Sequence, residues 1–553
     1  MDELAIPPSY LVAVQKLQNR YDEAITARLI RPVLFPHSFA PLMILILSLL
    51  MKTPHKGPFK IVKYLSFGGV VCSALLTILQ SRMYLGGNGC VVGIASFWYI
   101  LLSASLLLFN DPQEKFERIE RTIVFSHNEE REASCSGDEA VAIRPDISLD
   151  DKEIGNTYLR LSPRAAEKHL QPRTKCKPSP KGPHEMYILR WQAYPTTFSH
   201  RLAWVWDLTL NMRGPGWNWR ISTIPVLPKS ISSHLDRSSH EVNKPEIVNL
   251  GDTRSAAKYA LFQMILSYIG LDALKVIMML DPYFWGIVSS PPPSPLDSFS
   301  TFGKITTQTY RLLLSVMGVV CAVECAASTI SLLSLSISLW VPFARTWTSI
   351  PIEAPWLYPK VFGPCFSSIL DHGLIGFWSK WWHQIFRFNF LQPSNWIYAH
   401  LPHRLQKPFV RQFLQLYIAF GLSGLLHAAG SYTQLAPTTP FPNLFLFFFL
   451  QAPAIMFQDL VARHIIPLLP FRPARWLRRS TNFIFVVAWA FLIGPLGADD
   501  FAKGGIWLVE PVPLSPVRGL GFGAEGQGWW CWKGPAFSQW RGEKWWDVGI
   551  RIM

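Results

Sequence analysis

Apolar residues in this chain run together in blocks of about twenty, the length of helix that crosses a bilayer, rather than marking one face of a surface helix. Eight blocks qualify or come close: 33–51, 61–80, 90–109, 259–280, 312–341, 411–429, 443–461 and 482–497. The fifth is long enough for one tilted helix or for two segments joined inside the membrane. The first follows a mixed-charge stretch and precedes Lys52, Lys56 and Lys60. Those flanks do not suit a cleaved signal peptide. Residues 113–190 lack apolar periodicity and are rich in Glu, Arg, Ser and Pro, so they predict a largely disordered loop. Residues 285–297, with Pro291-Pro292-Pro293 and Pro295, predict a stiff linker. The expected fold is an all-α multi-pass membrane protein of about eight or more transmembrane helices. It divides into N-terminal transmembrane helices (1–112), the disordered cytosolic loop (113–190) and a membrane domain (191–553).

Composition narrows the class. Of 553 residues, 16% are charged and 49% hydrophobic, against about 25% charged in ordinary soluble domains. Disorder throughout, a disulfide scaffold, collagen and coiled coil are excluded. The formal net charge is +15, but the cations flank apolar blocks, which points to a lipid bilayer and away from nucleic acid. Cationic loops alternate with nearly uncharged ones. By the positive-inside rule the N-terminus is lumenal and loops 52–63, 110–258, 342–410 and 462–480 are cytosolic. The tail after about 498 would then be lumenal, although its charges are balanced. The eight cysteines form no CxxC and no regular framework, and four lie in apolar blocks. No metal or disulfide site is expected from them.

Three stretches carry candidate chemistry. His427 ends Gly421-Leu422-Ser423-Gly424-Leu425-Leu426-His427, roughly 24 Å into the membrane from Arg411 at about 1.5 Å per residue. An ionisable group there is costly, and either acts as a proton acceptor or hydrogen-bonds to a neighbouring helix. Gly421 and Gly424 permit a close helix approach. The second stretch is Phe377-Trp378-Ser379-Lys380-Trp381-Trp382-His383-Gln384-Ile385-Phe386-Arg387. It reads either as an interfacial aromatic segment with snorkelling Lys380 and Arg387 or as part of a site. The third, Arg213-Gly214-Pro215-Gly216-Trp217-Asn218-Trp219, predicts a tight turn seated at the interface by Trp217 and Trp219. Two further charges lie in apolar blocks: Asp272, which can pair with Lys275 at i, i+3, and Glu324, for which the sequence offers no partner. Both read as structural.

These stretches, with Gly504 to Pro513 and Arg518 to Gly523, resemble the wax-synthase-like branch of the membrane-bound O-acyltransferases. In particular they resemble the fungal O-acetyltransferases that modify terpenoid and meroterpenoid metabolites. The resemblance spans roughly 190–530. It implies helices enclosing a tunnel, acetyl-CoA as co-substrate with no permanently bound cofactor, a hydroxylated terpenoid acceptor, and residence in the endoplasmic reticulum. It also implies a membrane-helix His, matched by His427, and an Asn or His in the preceding aromatic loop. Sterol and glyceride acyltransferases have Asn after paired Trp, whereas here Trp381-Trp382 precedes His383. On this reading His427 is the general base, His383 or Gln384 stabilises the oxyanion or orients the thioester, and Lys380, Arg387 and Arg213 contact CoA phosphates. Two rivals stay open: a long-chain wax-ester synthase, and a transporter using Glu324 and His427. The latter is weakened by the lack of an internal repeat.

Overall fold

The computed structural model describes residues 6–52, 60–124, 186–238, 249–294, 296, 303–341, 343, 344, 348–525, 527–532 and 534–553. The chain begins with α1 (Tyr10–Thr26), β1 (Arg31–Phe35) and α2 (Ala40–Leu50), followed by α3 (Lys60–Gln80), β2 (Ser81–Arg82) and α4 (Cys90–Phe109). A hairpin of β3 (Arg118–Val124) and β4 (Met186–Gln192) leads into α5 (Phe198–Leu210), α6 (Lys229–Ser238), α7 (Thr253–Met278) and α8 (Gly303–Trp340). The last helices are α9 (Cys365–Gly376), α10 (Arg387–His400), α11 (Pro408–Tyr432), α12 (Pro440–Leu468) and α13 (Arg475–Lys503), before β5 (Phe537–Arg541) and β6 (Val548–Ile552).

Among the described residues, α3, α4, α7, α8, α11, α12 and α13 are long and apolar enough to cross a membrane. The fifth block resolves as one continuous helix of 38 residues, about 57 Å at 1.5 Å per residue and so well beyond the roughly 30 Å bilayer core. Exposed Leu313, Met317, Ile330, Leu333 and Ile337 on α8 need lipid to cover them.

The first predicted span changes character. Residues 31–35 are a strand, and the apolar helix behind it covers only His37–Leu50. The all-α expectation is corrected at the same place. β1 pairs in parallel with β2 and antiparallel with β6, and β6 pairs with β5, giving the four-stranded order β2-β1-β6-β5. Val33 and Leu34 satisfy both apolar patterns, which is why the strand was absorbed into the helical block. Most of the predicted disordered loop, 125–185, lies outside the described residues. Its two edges are paired, with Arg118 opposite Gln192 and Thr122 opposite Ile188. The hairpin then packs Ile119 and Leu189 against Ile231 and Leu235 of α6.

The expected Asp272–Lys275 pair does not form. Asp272, fully buried on α7, accepts hydrogen bonds from the Ser515 hydroxyl and from Val517 N at 2.8 Å, and lies 3.7 Å from Arg518. Lys275 instead donates to the carbonyls of Trp507 (2.5 Å) and Leu508 (2.9 Å). Arg518 completes the network with a bidentate pair to Glu510 at 2.7 and 2.9 Å. A buried carboxylate needs several donors, and one neighbouring ammonium supplies fewer than the segment after α13 does.

Candidate functional site

The aromatic stretch after α9 makes one π turn over Phe377–Trp381 and becomes extended at Trp382. It is braced against the segment before α9. Gly363 N donates to Trp381 O at 2.9 Å, and a Cβ on Gly363 would lie 2.0 Å from the Lys380 carbonyl oxygen, so glycine alone permits this approach. Gln384 then ties the stretch to α10. Its side-chain amide donates to Trp378 O (2.6 Å) and Trp382 O (2.8 Å), and its carbonyl accepts from Arg387 at 2.8 Å. Both amide protons are therefore committed to main-chain carbonyls, which makes Gln384 a brace and leaves no donor for an oxyanion.

His383 sits half-buried among the rings of Trp382 (5.2 Å between centroids), Phe362 (6.1 Å) and Phe386 (6.3 Å). Its Nδ1 is buried with no hydrogen-bond partner among the described residues. Burial first, then the charges of His427 and Arg213, push its pKa down to about 3, so the ring is neutral near pH 7. The same interactions place His427 and Arg213 within electrostatic reach of His383.

His427 lies on α11, where Gly424 lets α12 approach. A Cβ on Gly424 would come within 2.9 Å of the Phe445 carbonyl oxygen. That contact brings Phe448 onto the imidazole, and His427 Nδ1 donates to the Ser423 carbonyl at 2.7 Å. A ring nitrogen facing a carbonyl must carry the proton, so in the neutral imidazole Nε2 keeps its lone pair.

Trp378 links the two histidines. Its ring packs on Trp382, beside His383, and on Phe420, Phe447 and Phe448. Its indole N–H donates to Gln451 Oε1 at 3.0 Å, as does Trp489 at 3.2 Å, and Gln451 donates to Phe447 O. Sequence reasoning missed Gln451 and Phe448. An amide in the middle of the apolar 443–461 block was the available signal for Gln451.

Beside this cluster opens a cavity of about 1960 Å³. Of the six candidate site residues, Arg213, Lys380, Gln384 and Arg387 line it, whereas His383 and His427 do not. Arg213 donates to the carbonyls of Lys360 (2.7 Å) and Pro359 (2.6 Å), and burial lowers it to about 10, still charged at neutral pH. Lys380 faces His372 at 2.7 Å. The turn at 214–216 is as tight as expected, with φ of 73° at Gly214 and 77° at Gly216. Trp217, however, is buried in the core with its indole on Asp207 at 3.0 Å, not seated at an interface.

The Membrane bound O-acyl transferase family matches residues 358–450, which hold the aromatic stretch, His383 and His427. The chain is also similar to the O-Mevalon transferase yanI of Aspergillus niger, 25% identical over 53% of this chain and 60% of that protein. The O-Mevalon transferase macI of Penicillium terrestre is 25% identical over 47% of this chain and 53% of that protein. The acetyltransferase pyr8 of Aspergillus fumigatus is 24% identical, over 58% and 69% respectively. The chain thus spans little more than half the length of the first two. No solved structure matches it. The family match takes in both histidines, and together with these relatives it makes the chain similar to the membrane-bound O-acyltransferases.

Proposed function

We propose that this protein transfers an acetyl group from acetyl-CoA to a hydroxyl of a terpenoid or meroterpenoid intermediate. One observation carries the reading: His427 Nδ1 is held by the Ser423 carbonyl, so the opposite nitrogen is the proton acceptor. An alcohol is too weak an acid to attack a thioester unaided. His427 Nε2 takes its proton as the oxygen bonds to the acyl carbon. The tetrahedral oxyanion is then stabilised by His383, which stays neutral and, with its Nδ1 protonated, donates a hydrogen bond. Collapse breaks the carbon–sulfur bond, the CoA thiolate recovers the proton from His427, and the products are an ester and CoA. No acyl-enzyme is needed.

Arg213, Lys380 and Arg387 line the cavity and suit a polyanionic donor that enters from the cytosolic side, as the cationic loops suggest. The bilayer supplies the apolar acceptor, the membrane is that of the endoplasmic reticulum, and 191–553 is the catalytic region. A donor larger than acetyl is the second reading, favoured by the names of two relatives.

The test uses microsomes containing the protein, labelled acetyl-CoA and a panel of hydroxylated terpenoids, with His427→Ala alongside. Labelled ester from the wild type and at least a hundredfold less from an equally abundant variant is expected. Full activity in His427→Ala would make that histidine structural.

A further inference from the structure

Glu324 stands on the apolar helix α8, roughly 24 Å from its end at Trp340 at about 1.5 Å per residue. The sequence alone gave it a structural reading, but the structure places it on the cavity wall and only half-buried. Among the described residues no hydrogen bond or ion pair reaches its carboxylate. The nearest charges acting on it are Arg213 and Lys360. Neither cation closes on it: Arg213 is held by the Pro359 and Lys360 carbonyls, and the Lys360 ammonium lies over the Tyr259 ring at 5.1 Å. An ionisable side chain on an apolar helix, left open to a cavity with no ion pair, is a candidate to hold something bound there.

The surrounding wall defines what that ligand must offer. Ser328 and Ser331, one and two turns further along α8, also line the cavity. Their hydroxyl protons are already given to the Glu324 and Ala327 carbonyls, at 2.5 and 2.9 Å, so they face the cavity as acceptors. A wall of acceptors recognises hydrogen-bond donors and repels anions. The cationic residues Arg213, Lys380 and Arg387 belong to the same cavity. A volume of about 1960 Å³ is about twice the upper end of cavities that hold one drug-sized ligand, roughly 300–1000 Å³. There is room for two ligands, one anionic and one carrying donors.

We propose that Glu324 binds the alcohol acceptor, accepting a hydrogen bond from a hydroxyl other than the one that is acylated. This rests on the acyl-transfer reading. The reacting hydroxyl must reach His427, which does not line the cavity, so the hydroxyl held by Glu324 is a second one. The protein therefore selects an apolar substrate with at least two hydroxyls, and Glu324 is a specificity residue.

The experiment compares matched monohydroxylated and dihydroxylated terpenoids in microsomes, with labelled acetyl-CoA, for wild type, Glu324→Gln and Glu324→Ala. Wild type is expected to prefer the diol by about tenfold or more in kcat/KM, the usual scale for a hydrogen bond to a charged group. Glu324→Ala is expected to erase the preference by raising the diol KM, with Glu324→Gln between them. The KM for acetyl-CoA stays unchanged in both variants, which also shows that they are folded. A wild type without preference, a preference kept in Glu324→Ala, or an increase confined to the acetyl-CoA KM would each overturn the proposal while leaving acyl transfer standing. Absence of labelled ester with every alcohol would remove both readings together.

Discussion

The imidazole of His427 lies against the ring of Phe448, with centroids 4.0 Å apart and planes 22° from parallel. With the Nδ1 bond to Ser423, this contact leaves the ring one orientation. Phe448→Leu keeps an apolar side chain but loses the flat support. The expected result is a kcat about ten- to a hundredfold lower with the acetyl-CoA KM unchanged, since about 1 Å of misplacement can cost that much. Initial rates at saturating donor, normalised to protein abundance, check this. An unchanged kcat would mean that the Ser423 bond alone orients the base.

His383 gives a prediction in pH. Its folded pKa is lowered to about 3 by burial and by the charges of His427 and Arg213, whereas an unfolded histidine titrates near 6.5. The unfolded chain therefore binds a proton between those values that the folded chain excludes. Above about pH 6.5 this group leaves stability unaltered. As the pH falls from there towards 3, stability is lost progressively. His383→Gln should flatten that part of the profile of melting temperature against pH in detergent. A variant profile as steep as the wild type's would show that other groups dominate acid destabilisation.

Asp272 anchors α7 to the segment after α13 through Ser515, Val517 and Arg518. Replacing it with Leu leaves the Ser515 hydroxyl and the Val517 N–H without their acceptor, while Arg518 keeps its pair with Glu510. Leaving a buried donor unsatisfied typically costs about 1–3 kcal/mol, so a lower melting midpoint is expected. The acetyl-CoA KM of the surviving folded protein should be unaltered, because neither Asp272 nor Arg518 lines the cavity. A large KM change with an unchanged midpoint would move this network into the binding site.

Strand pairing predicts topology. β1, β2 and β6 belong to one sheet, so the residues before α2, after α3 and after α13 share one side of the membrane. An even number of crossings must separate β1 from β2, so α2 is expected to cross beside α3, which would bring the crossings among the described residues to eight. Glycosylation acceptor sites placed near residue 6 and after residue 553 should be modified together, with a site inserted at 53–59 left unmodified. Opposite outcomes at the two ends would break the parity.

What sequence could reveal followed from how far apart the cooperating residues lie. His427 stood out in the sequence as a candidate because a titratable group inside an apolar block is costly, and the 377–387 stretch because of its aromatic density. The partners of Asp272 were not legible. Spacing rules see Lys275 three positions away, whereas Ser515 lies 243 positions away. Gln384 looked like a free donor until the carbonyls of Trp378 and Trp382 were found on its amide. The environment of Glu324 is equally a tertiary property, set by loops and helices that meet only in the folded bundle.

The sheet that joins the two ends of the chain also fixes when folding can finish. Arg28 and Glu543, paired beside it at 2.6 Å, are 515 positions apart, so this contact must wait until every intervening helix has been made and inserted. Until residues 548–552 arrive, β1 presents an open edge to whatever strand is near. Closing so long a loop comes late in folding. A chain interrupted anywhere along α13 would hold both histidines yet lack the strand that pairs with β1, leaving that edge open.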